Sequence, residues 1–175
     1  MIAKPTVQNV VASFSLTPAP LDLKKIHHSF KKESIWNKAT FNYKVVILRL
    51  KKPKMSFLIY RTGRIICTGA KRVKDAERSA DYLLERLTGA GFYVKRKADA
   101  KIRNIVATAD LGIEVDLERF VSRVNKMKGV GIIYEPEQFP AAIVKISLSP
   151  NDNATVLLFS TGKLVCVGLK KEREI

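Results

Sequence analysis

The sequence contains little cysteine and histidine, which argues against several classes of chemistry. Its 175 residues include 2 cysteines and 2 histidines, and none of them has the spacing of a zinc site. We therefore expect Cys67 and Cys166 to be reduced core residues, and we expect no metal and no cofactor. A Ser/His/Asp or Cys/His set and a glycine-rich phosphate loop are also missing from the pattern. An enzyme is therefore not expected.

Long apolar runs are absent as well. A membrane-spanning helix needs about 18 or more consecutive apolar residues, and the sequence offers no such run. Its first residues also lack the charged and then apolar order of a signal peptide. These absences predict a soluble intracellular protein without a membrane segment.

Acidic residues are outnumbered by basic ones. The chain has 32 Lys and Arg against 16 Asp and Glu, a formal net charge of +16. This balance favours a polyanionic partner, since neutralised phosphates release counterions, and a membrane surface is the alternative. The charge is also uneven, because residues 1–97 hold 21 basic against 6 acidic residues and residues 98–175 hold 11 against 10. The first part is therefore the one suited to phosphate.

The chain repeats itself. FLIYRTGRIICTGAK at residues 57–71 returns as VLLFSTGKLVCVGLK at residues 156–170. Each copy predicts a β-hairpin whose turn contains Gly63 or Gly162. In the first hairpin, strand alternation places one set of side chains on a common face: Leu58, Tyr60, Arg64, Ile66 and Thr68. The opposite face is also apolar, so either helices cover both faces or one face binds a partner.

The repeat extends beyond the hairpins and divides the chain into residues 1–97 and 98–175. Strands are predicted at 5–14, 43–50 and 139–146, with a polar loop at 147–154. Amphipathic helices are predicted at 21–32, with Asp22 as the cap, and at 116–127, ending before Gly129. A further helix is predicted at 74–87, stopping at Gly89. The second copy of the repeat ends without a counterpart of this helix. Either a helix has been cut off or a partner covers the same core.

Asparagine recurs at one position of the repeat, in QNVVA and RNIVA. Asn9 and Asn104 both fall inside predicted strands, where asparagine is mildly unfavourable. Its recurrence suggests that the side chain has a function, such as a contact to a base edge. The alternative is a strand-end asparagine that bonds its own backbone.

These motifs, together with YEPEQFP at residues 134–140, resemble the TATA-box-binding protein family over nearly the whole chain. The resemblance implies an α+β fold, a saddle with two-fold pseudo-symmetry. Its curved antiparallel sheet would place the concave face in the DNA minor groove and carry helices on the convex face, with the last helix missing here. It also implies aromatic wedges that kink the duplex. The matching wedge positions are Tyr43, Tyr60, Phe139 and Phe159.

Two of those wedges depart from the family, which has phenylalanine at the positions of Tyr43 and Tyr60. A hydroxyl trapped between bases without a partner costs about 1–3 kcal/mol. We therefore expect a weaker or shallower kink at that end, unless the hydroxyl reaches a sugar or phosphate oxygen, in which case the loss is small.

The resemblance implies three further sets of DNA contacts. Donors to minor-groove acceptors are Asn9, Asn104 and Thr68, with Val167 in place of a second threonine. The apolar floor against the bases comprises Val11, Leu58, Ile66, Val106, Leu157 and Val165. Contacts to the DNA backbone are implied for Arg49, Arg64, Lys71, Lys145, Lys163 and Lys170. Because Val167 has no donor, we expect a relaxed sequence preference on the side of the second repeat.

The implied function is that of a general transcription initiation factor, which binds and bends promoter DNA and recruits the RNA polymerase machinery. A B-type general factor would contact Glu135 and Glu137, although Gln138 replaces the usual leucine, and an A-type factor is a second implied partner. The location would be the nucleus, or the cytoplasm for an archaeal or viral source. The alternative function is a protein-interaction scaffold with weakened or non-specific DNA binding, supported by the two tyrosines, Val167 and the missing helix.

Overall fold

The fold was analysed in a computed structural model, which describes residues 4–36, 42, 44–149 and 152–175. The chain forms two compact units. We call residues 9–103 the first unit, and residues 1–8 with 104–175 the second unit. The division into repeats at residues 97 and 98 stays a prediction.

The first unit combines an antiparallel sheet with short helices. Its elements in chain order are β1 (Thr6–Thr17), α1 (Leu23–Ser29), β2 (Ser34–Ile35), β3 (Val45–Leu50), β4 (Met55–Tyr60), β5 (Arg64–Ala70), α2 (Val73–Glu77) and α3 (Ser79–Gly89). The strands lie in the order β2-β3-β4-β5-β1. The order places β1 beside the hairpin of β4 and β5.

One face of this sheet forms the core of the first unit. Phe57, Ile59, Ile65 and Cys67 alternate along β4 and β5, and each is 0% exposed. The helices contribute further fully or nearly fully buried residues: Leu23, Ile26, Ala76, Ala80, Leu83 and Leu87. Full burial of a large aliphatic or aromatic side chain stabilises a fold by about 1.5–3 kcal/mol. The predicted separation of the two faces of the hairpin is confirmed.

The two helices predicted at 21–32 and 116–127 are shorter than predicted, and an aspartate caps each of them. Asp22 accepts a hydrogen bond from the Lys25 N–H at 2.9 Å, and Asp116 accepts one from the Arg119 N–H at 3.0 Å. The predicted helix at 74–87 is divided into α2 and α3 at Arg78, where ψ is 1° rather than helical. The division lets Ser79, at the start of α3, lie fully buried.

The second unit repeats the plan with strand order β6-β10-β9-β8-β7. Its elements are β6 (Lys95–Asp110), which enters this unit at Asn104, α4 (Leu117–Val124), β7 (Val130–Ile133), β8 (Ala141–Ser149), β9 (Asp152–Phe159), β10 (Lys163–Leu169) and a 3₁₀ helix (Glu172–Glu174). The first three residues of β1 also belong to this unit. A buried cluster of Leu117, Ala142 and Leu158 packs with partly buried residues that include Phe120 and Ile132. Helix α4 therefore covers part of this sheet.

Two strand predictions in this unit were wrong. Strand β8 begins at Ala141, so Phe139 precedes it, in a turn where the Phe139 N–H donates to the Glu135 carbonyl at 2.9 Å. The predicted polar loop at 147–154 is largely strand, because Ser147 pairs with Asn153 across β8 and β9. The polar composition of residues 147–154 therefore did not indicate that the backbone hydrogen bonds of the sheet continue there.

Part of the core-facing side of the second unit is only half-buried. Ile146, Val156, Leu164 and Cys166 border a cavity of about 250 Å³ together with Ile175. Cys67 is fully buried at the matching position of the first unit, so the prediction of a core position for Cys166 was wrong. Among the described residues after β10 only the short 3₁₀ helix follows, and nothing equivalent to α3 lies over these side chains.

Candidate nucleic-acid interface

The face of the first-unit sheet opposite its core is a candidate nucleic-acid interface. Cross-strand pairing aligns Ile47, Leu58 and Ile66 in one row of β3, β4 and β5. The three side chains are half-buried, as expected for an apolar surface without a covering layer. This row brings together two of the predicted floor residues and adds Ile47, which was not predicted as a contact.

A polar row lies beside it and ends near Asn9. Arg49, Ser56 and Thr68 align across the same strands, and the Asn9 amide nitrogen donates to the Thr68 hydroxyl at 3.3 Å. The Asn9 carbonyl oxygen accepts from the Gly69 N–H at 2.8 Å. Because the carbonyl is held in this way, the amide NH₂ is the group with donors left for a ligand.

A β-bulge allows the Gly69 N–H to donate to the Asn9 side chain. The register of β1 and β5 shifts between Val10 and Ala12, and Gly69 has φ +92°. A bulge removes one residue from the regular ladder, so the Gly69 N–H points to a side chain instead of a strand. Val11 falls at the shift and is half-buried.

Tyr60 ends strand β4 at the hairpin turn and is half-buried. Its carbonyl accepts from the Gly63 N–H at 3.0 Å. Gly63 has φ +81°, and a Cβ there would lie 2.4 Å from the Leu16 carbonyl oxygen. The turn thus fixes the backbone of the predicted wedge. Tyr43, the other predicted wedge of this repeat, lies outside the described residues.

The second unit has a corresponding surface on its own sheet. Ile143, Leu157 and Val165 form an apolar row, with Val106 half-buried on β6. The Asn104 carbonyl oxygen accepts from the Gly168 N–H at 2.7 Å. The same bulge recurs, since the register of β10 and β6 shifts between Cys166 and Leu169.

Phe139 and Phe159 form an aromatic pair in the second unit. Their ring centroids are 6.2 Å apart with an interplanar angle of 62°, and Phe139 is 38% exposed. The Phe159 carbonyl accepts from the Gly162 N–H at 2.9 Å. Both predicted wedges of this repeat are therefore adjacent, although only Phe159 lies on a strand.

The basic side chains that were predicted to contact the DNA backbone differ in their surroundings. Six basic side chains are exposed: Arg49, Arg64, Lys71, Lys145, Lys163 and Lys170. Lys170 forms an ion pair with Asp152, and the hydrogen bond from Lys170 holds the pKa of that carboxyl below its usual range. A phosphate at Lys170 would have to compete with this carboxylate.

The acidic turn before Phe139 is well exposed. Glu135, Glu137 and Gln138 are all accessible to solvent. The Glu135 carbonyl accepts from the N–H groups of Gln138 and Phe139, each at 2.9 Å. The turn can therefore present its carboxylates to a partner, separate from the apolar rows.

A symmetric pair of side-chain hydrogen bonds was missed by the sequence reasoning. Gln8 donates to Thr108 at 2.9 Å, and Arg103 donates to Ser13 at 2.6 Å. The donors are 95 residues apart and so are the acceptors, the same offset that separates Asn9 from Asn104. The offset matches Gln8 with Arg103 and Ser13 with Thr108, and because the matched residues differ in type, no recurring motif indicates either bond.

In the ranges that the structure describes, no cluster of three or more potential metal ligands occurs. None of the helices described there is long and apolar enough to cross a membrane.

Comparisons with known proteins decide the family. Residues 4–90 and 99–175 match the model of the family described as "Transcription factor TFIID (or TATA-binding protein, TBP)". The chain belongs to the TATA-binding protein family. It is 38% identical to the TATA-box-binding protein of Pyrobaculum islandicum over 172 residues, which cover 97% of this chain and 79% of that protein. It is 34% identical to the protein of the same name from Archaeoglobus fulgidus over 168 residues, which cover 96% and 86%.

A solved structure agrees with these relatives. "Methanococcus jannaschii TBP" matches with a TM-score of 0.75 and 34% identity over 98% of this chain and 91% of the other. The predicted α+β fold class of the TATA-binding protein family is confirmed, as is the role of a general transcription initiation factor. The family is one of non-enzymatic DNA-binding transcription factors.

Proposed function

We propose that the chain binds A·T-rich promoter DNA in the minor groove through the half-exposed face of each unit, and bends it. The observation that supports this most directly is the orientation of the two asparagines. Gly69 and Gly168 hold the carbonyl oxygens of Asn9 and Asn104, which leaves amide N–H donors for a ligand. The minor groove of A·T pairs offers only acceptors, adenine N3 and thymine O2.

The apolar rows favour the same base pairs. A G·C pair adds the N2 amino group of guanine to the minor-groove floor. Against Leu58, Ile66, Leu157 or Val165 this donor would be left unpaired, at a cost of about 1–3 kcal/mol. The surface therefore supports discrimination of A·T from G·C and little more.

Bending is proposed from the aromatic positions. A wedge between base steps costs a few kcal/mol of stacking and allows more protein surface to be wrapped. Smooth bending of a site by 40–90° costs about 1–6 kcal/mol. Phe139 and Phe159 carry no hydroxyl, whereas Tyr60 has one, so we propose a deeper kink at the end held by the second unit.

Positive charge supplies affinity and salt dependence. Each neutralised phosphate contributes about −0.9 to the slope of log K against log salt. Residues 1–97 carry most of the net charge, so we propose that this part makes more of the phosphate contacts.

The partners and location are part of the same proposal. The exposed turn with Glu135, Glu137 and Gln138 would bind a B-type general factor, and an A-type factor and RNA polymerase would join on the bent DNA. Because Gln138 brings an amide, we expect a polar group on the partner opposite it. No catalysis is required, and the archaeal relatives favour the cytoplasm.

The test is binding to a fluorescent duplex with a central A·T-rich site, across a salt series, with energy transfer between its ends reporting the bend. A G·C-rich duplex of equal length is the control. We expect tighter binding and a bend with the first duplex only. The double variant Asn9→Ala, Asn104→Ala should lose most of the preference, while Lys74→Ala, on the exposed side of α2, should keep it.

A protein-interaction scaffold is the second candidate function. It is favoured by the half-buried apolar side chains Ile146, Val156 and Cys166, which a partner could cover. Equal binding of both duplexes without a bend would reject the first proposal and support this one.

A further inference from the structure

Strand β6 begins well before its first buried residue. It is 16 residues long, and none of residues 95–103 is buried, because burial along the strand starts at Ile105. Strands in globular proteins average about 5–6 residues. The residues before Asn104 belong to the first unit. Core packing therefore does not explain the side chains of residues 93–103, which we call the β6 extension.

The β6 extension carries a row of free positive charge. Residues 95–103 include five basic residues and one acidic residue. That acid, Asp99, is paired with Arg96 at 3.3 Å. Three exposed lysines occupy alternate positions and so lie on one side of the strand, and among the described residues they form no ion pair. We call Lys95, Lys97 and Lys101 the lysine row.

An exposed aromatic ring stands at the start of this row. Tyr93 is 93% exposed, and in the part of the chain that the structure describes its side chain makes no hydrogen bond and no aromatic contact. It precedes Lys95 by two residues of extended chain, about 6.7 Å. Both faces of the ring are therefore open to a ligand.

The residues beside Tyr93 are fixed to the helices of the first unit. The Phe92 N–H donates to a carbonyl of α3 at 3.0 Å, and the Lys25 ammonium lies 5.5 Å from the centroid of the Phe92 ring. On the other side of Tyr93, Arg96 pairs with Asp81 of α3 at 3.1 Å. The backbone is thus held on both sides of a ring that makes no contact of its own.

We propose that the β6 extension binds single-stranded DNA, with a base stacked on Tyr93 and phosphates on the lysine row. An aromatic ring followed by a line of cations is how proteins bind single strands with little sequence preference. A duplex does not fit in the same way, because stacking covers both faces of its bases. The inference goes beyond the proposed minor-groove binding, since no residue of the β6 extension belongs to the apolar rows or to the predicted duplex contacts.

The first experiment measures binding of a fluorescent oligothymidine of about 12 nucleotides by anisotropy. Loss of one stacked base corresponds to about a 5- to 150-fold loss of affinity. We expect this loss for Tyr93→Leu, which keeps an apolar side chain, and native affinity for Tyr93→Phe, which keeps the ring. Equal thermal melting of the three proteins excludes misfolding as the cause. Equal affinity of native protein and Tyr93→Leu would overturn the inference.

The second experiment repeats the titration across a salt series. Each phosphate of a single strand contributes about 0.7 to the slope of log K against log salt. Replacing all three lysines of the row by glutamine should therefore reduce the slope by about 2. The matched control removes the same charge elsewhere on the exposed surface of the first unit, at Lys24, Lys31 and Lys32. Equal slopes for the two triple variants would contradict the proposal.

Further arms identify the ligand and the place of binding. A strand containing 5-iododeoxyuridine should crosslink to Tyr93 under light, with the peptide located by mass spectrometry, and it should do so while the A·T-rich duplex is bound. Crosslinking only at other residues, or tighter binding of oligouridine or polyglutamate than of oligothymidine, would overturn the assignment to single-stranded DNA. Native protein that neither bends nor prefers the A·T-rich duplex would reject the proposed function alone, because the oligothymidine assays need no duplex.

Discussion

Replacing Gly162 by alanine tests how the hairpin turn holds its wedge. Gly162 has φ +81°, and a Cβ there would lie 2.1 Å from the Ile113 carbonyl oxygen. A non-glycine residue in the left-handed region costs about 1–2 kcal/mol, and overpacking against a rigid neighbour costs about 1–3 kcal/mol more. We therefore expect Gly162→Ala to lower the free energy of unfolding by about 2–5 kcal/mol.

The matched control is Gly129→Ala. Gly129 has φ +78° but nothing within 4 Å of the added Cβ, so it has the backbone strain without the collision. We expect a loss of about 1–2 kcal/mol for this variant. The measurement is urea unfolding followed by circular dichroism, with all variants under identical conditions.

The same substitution should change function. The Gly162 N–H holds the Phe159 carbonyl, so any movement of the turn displaces the ring that is proposed to enter the base stack. Energy transfer across the duplex should report a smaller bend for Gly162→Ala than for Gly129→Ala. The reasoning is refuted if the free energies of unfolding of the two variants differ by less than about 0.5 kcal/mol, which is the usual limit of additivity. The close approach to Ile113 would then contribute nothing measurable to stability.

Three further predictions concern other parts of the chain. Phe159→Ala should weaken binding to the A·T-rich duplex about 5- to 150-fold, since a base stacked on an aromatic ring is worth about 1–3 kcal/mol; an unchanged affinity and bend would rule out the wedge. Cys166 should react with a thiol reagent in the folded protein while Cys67 reacts only on unfolding, because Cys166 is half-buried and Cys67 is fully buried; burial raises the pKa of both thiols, that of Cys67 to about 11, and equal labelling rates at pH 8 would contradict the prediction. Asp116→Ala removes the bond to the Arg119 N–H and should cost about 1 kcal/mol in urea unfolding, whereas no change would mean that the cap is replaced by solvent.

Much of the fold followed from local patterns. Alternation in residues 57–68 predicted the two faces of the first hairpin. The spacing of apolar residues predicted a helix after Asp22 and another after Asp116, although only the cap at Asp22 was predicted. These signals work because the residues concerned are neighbours along the chain. The repeat strengthened each of these signals, because both copies of the sequence predicted the same element.

The errors arose where distant parts of the chain decide the outcome. The burial of Cys67 depends on α3, and no equivalent layer covers Cys166, which alternation alone does not reveal. The break at Arg78 precedes the fully buried Ser79, and the turn at Phe139 contains a hydrogen bond to the Glu135 carbonyl. The places of Ile47 and Ile143 in the apolar rows follow from strand register, which the turn geometry fixes and composition does not.

The bulges at Gly69 and Gly168 have a consequence for how this family can change. They hold Asn9 and Asn104 by the main chain, so the side chains around each asparagine can be replaced without releasing it. Two identical halves would bind an A·T-rich site equally well in either direction. Under the proposed DNA binding, Thr68 in the first unit and Val167 in the second would give the two directions different free energies, and the protein would bind the duplex in one preferred direction.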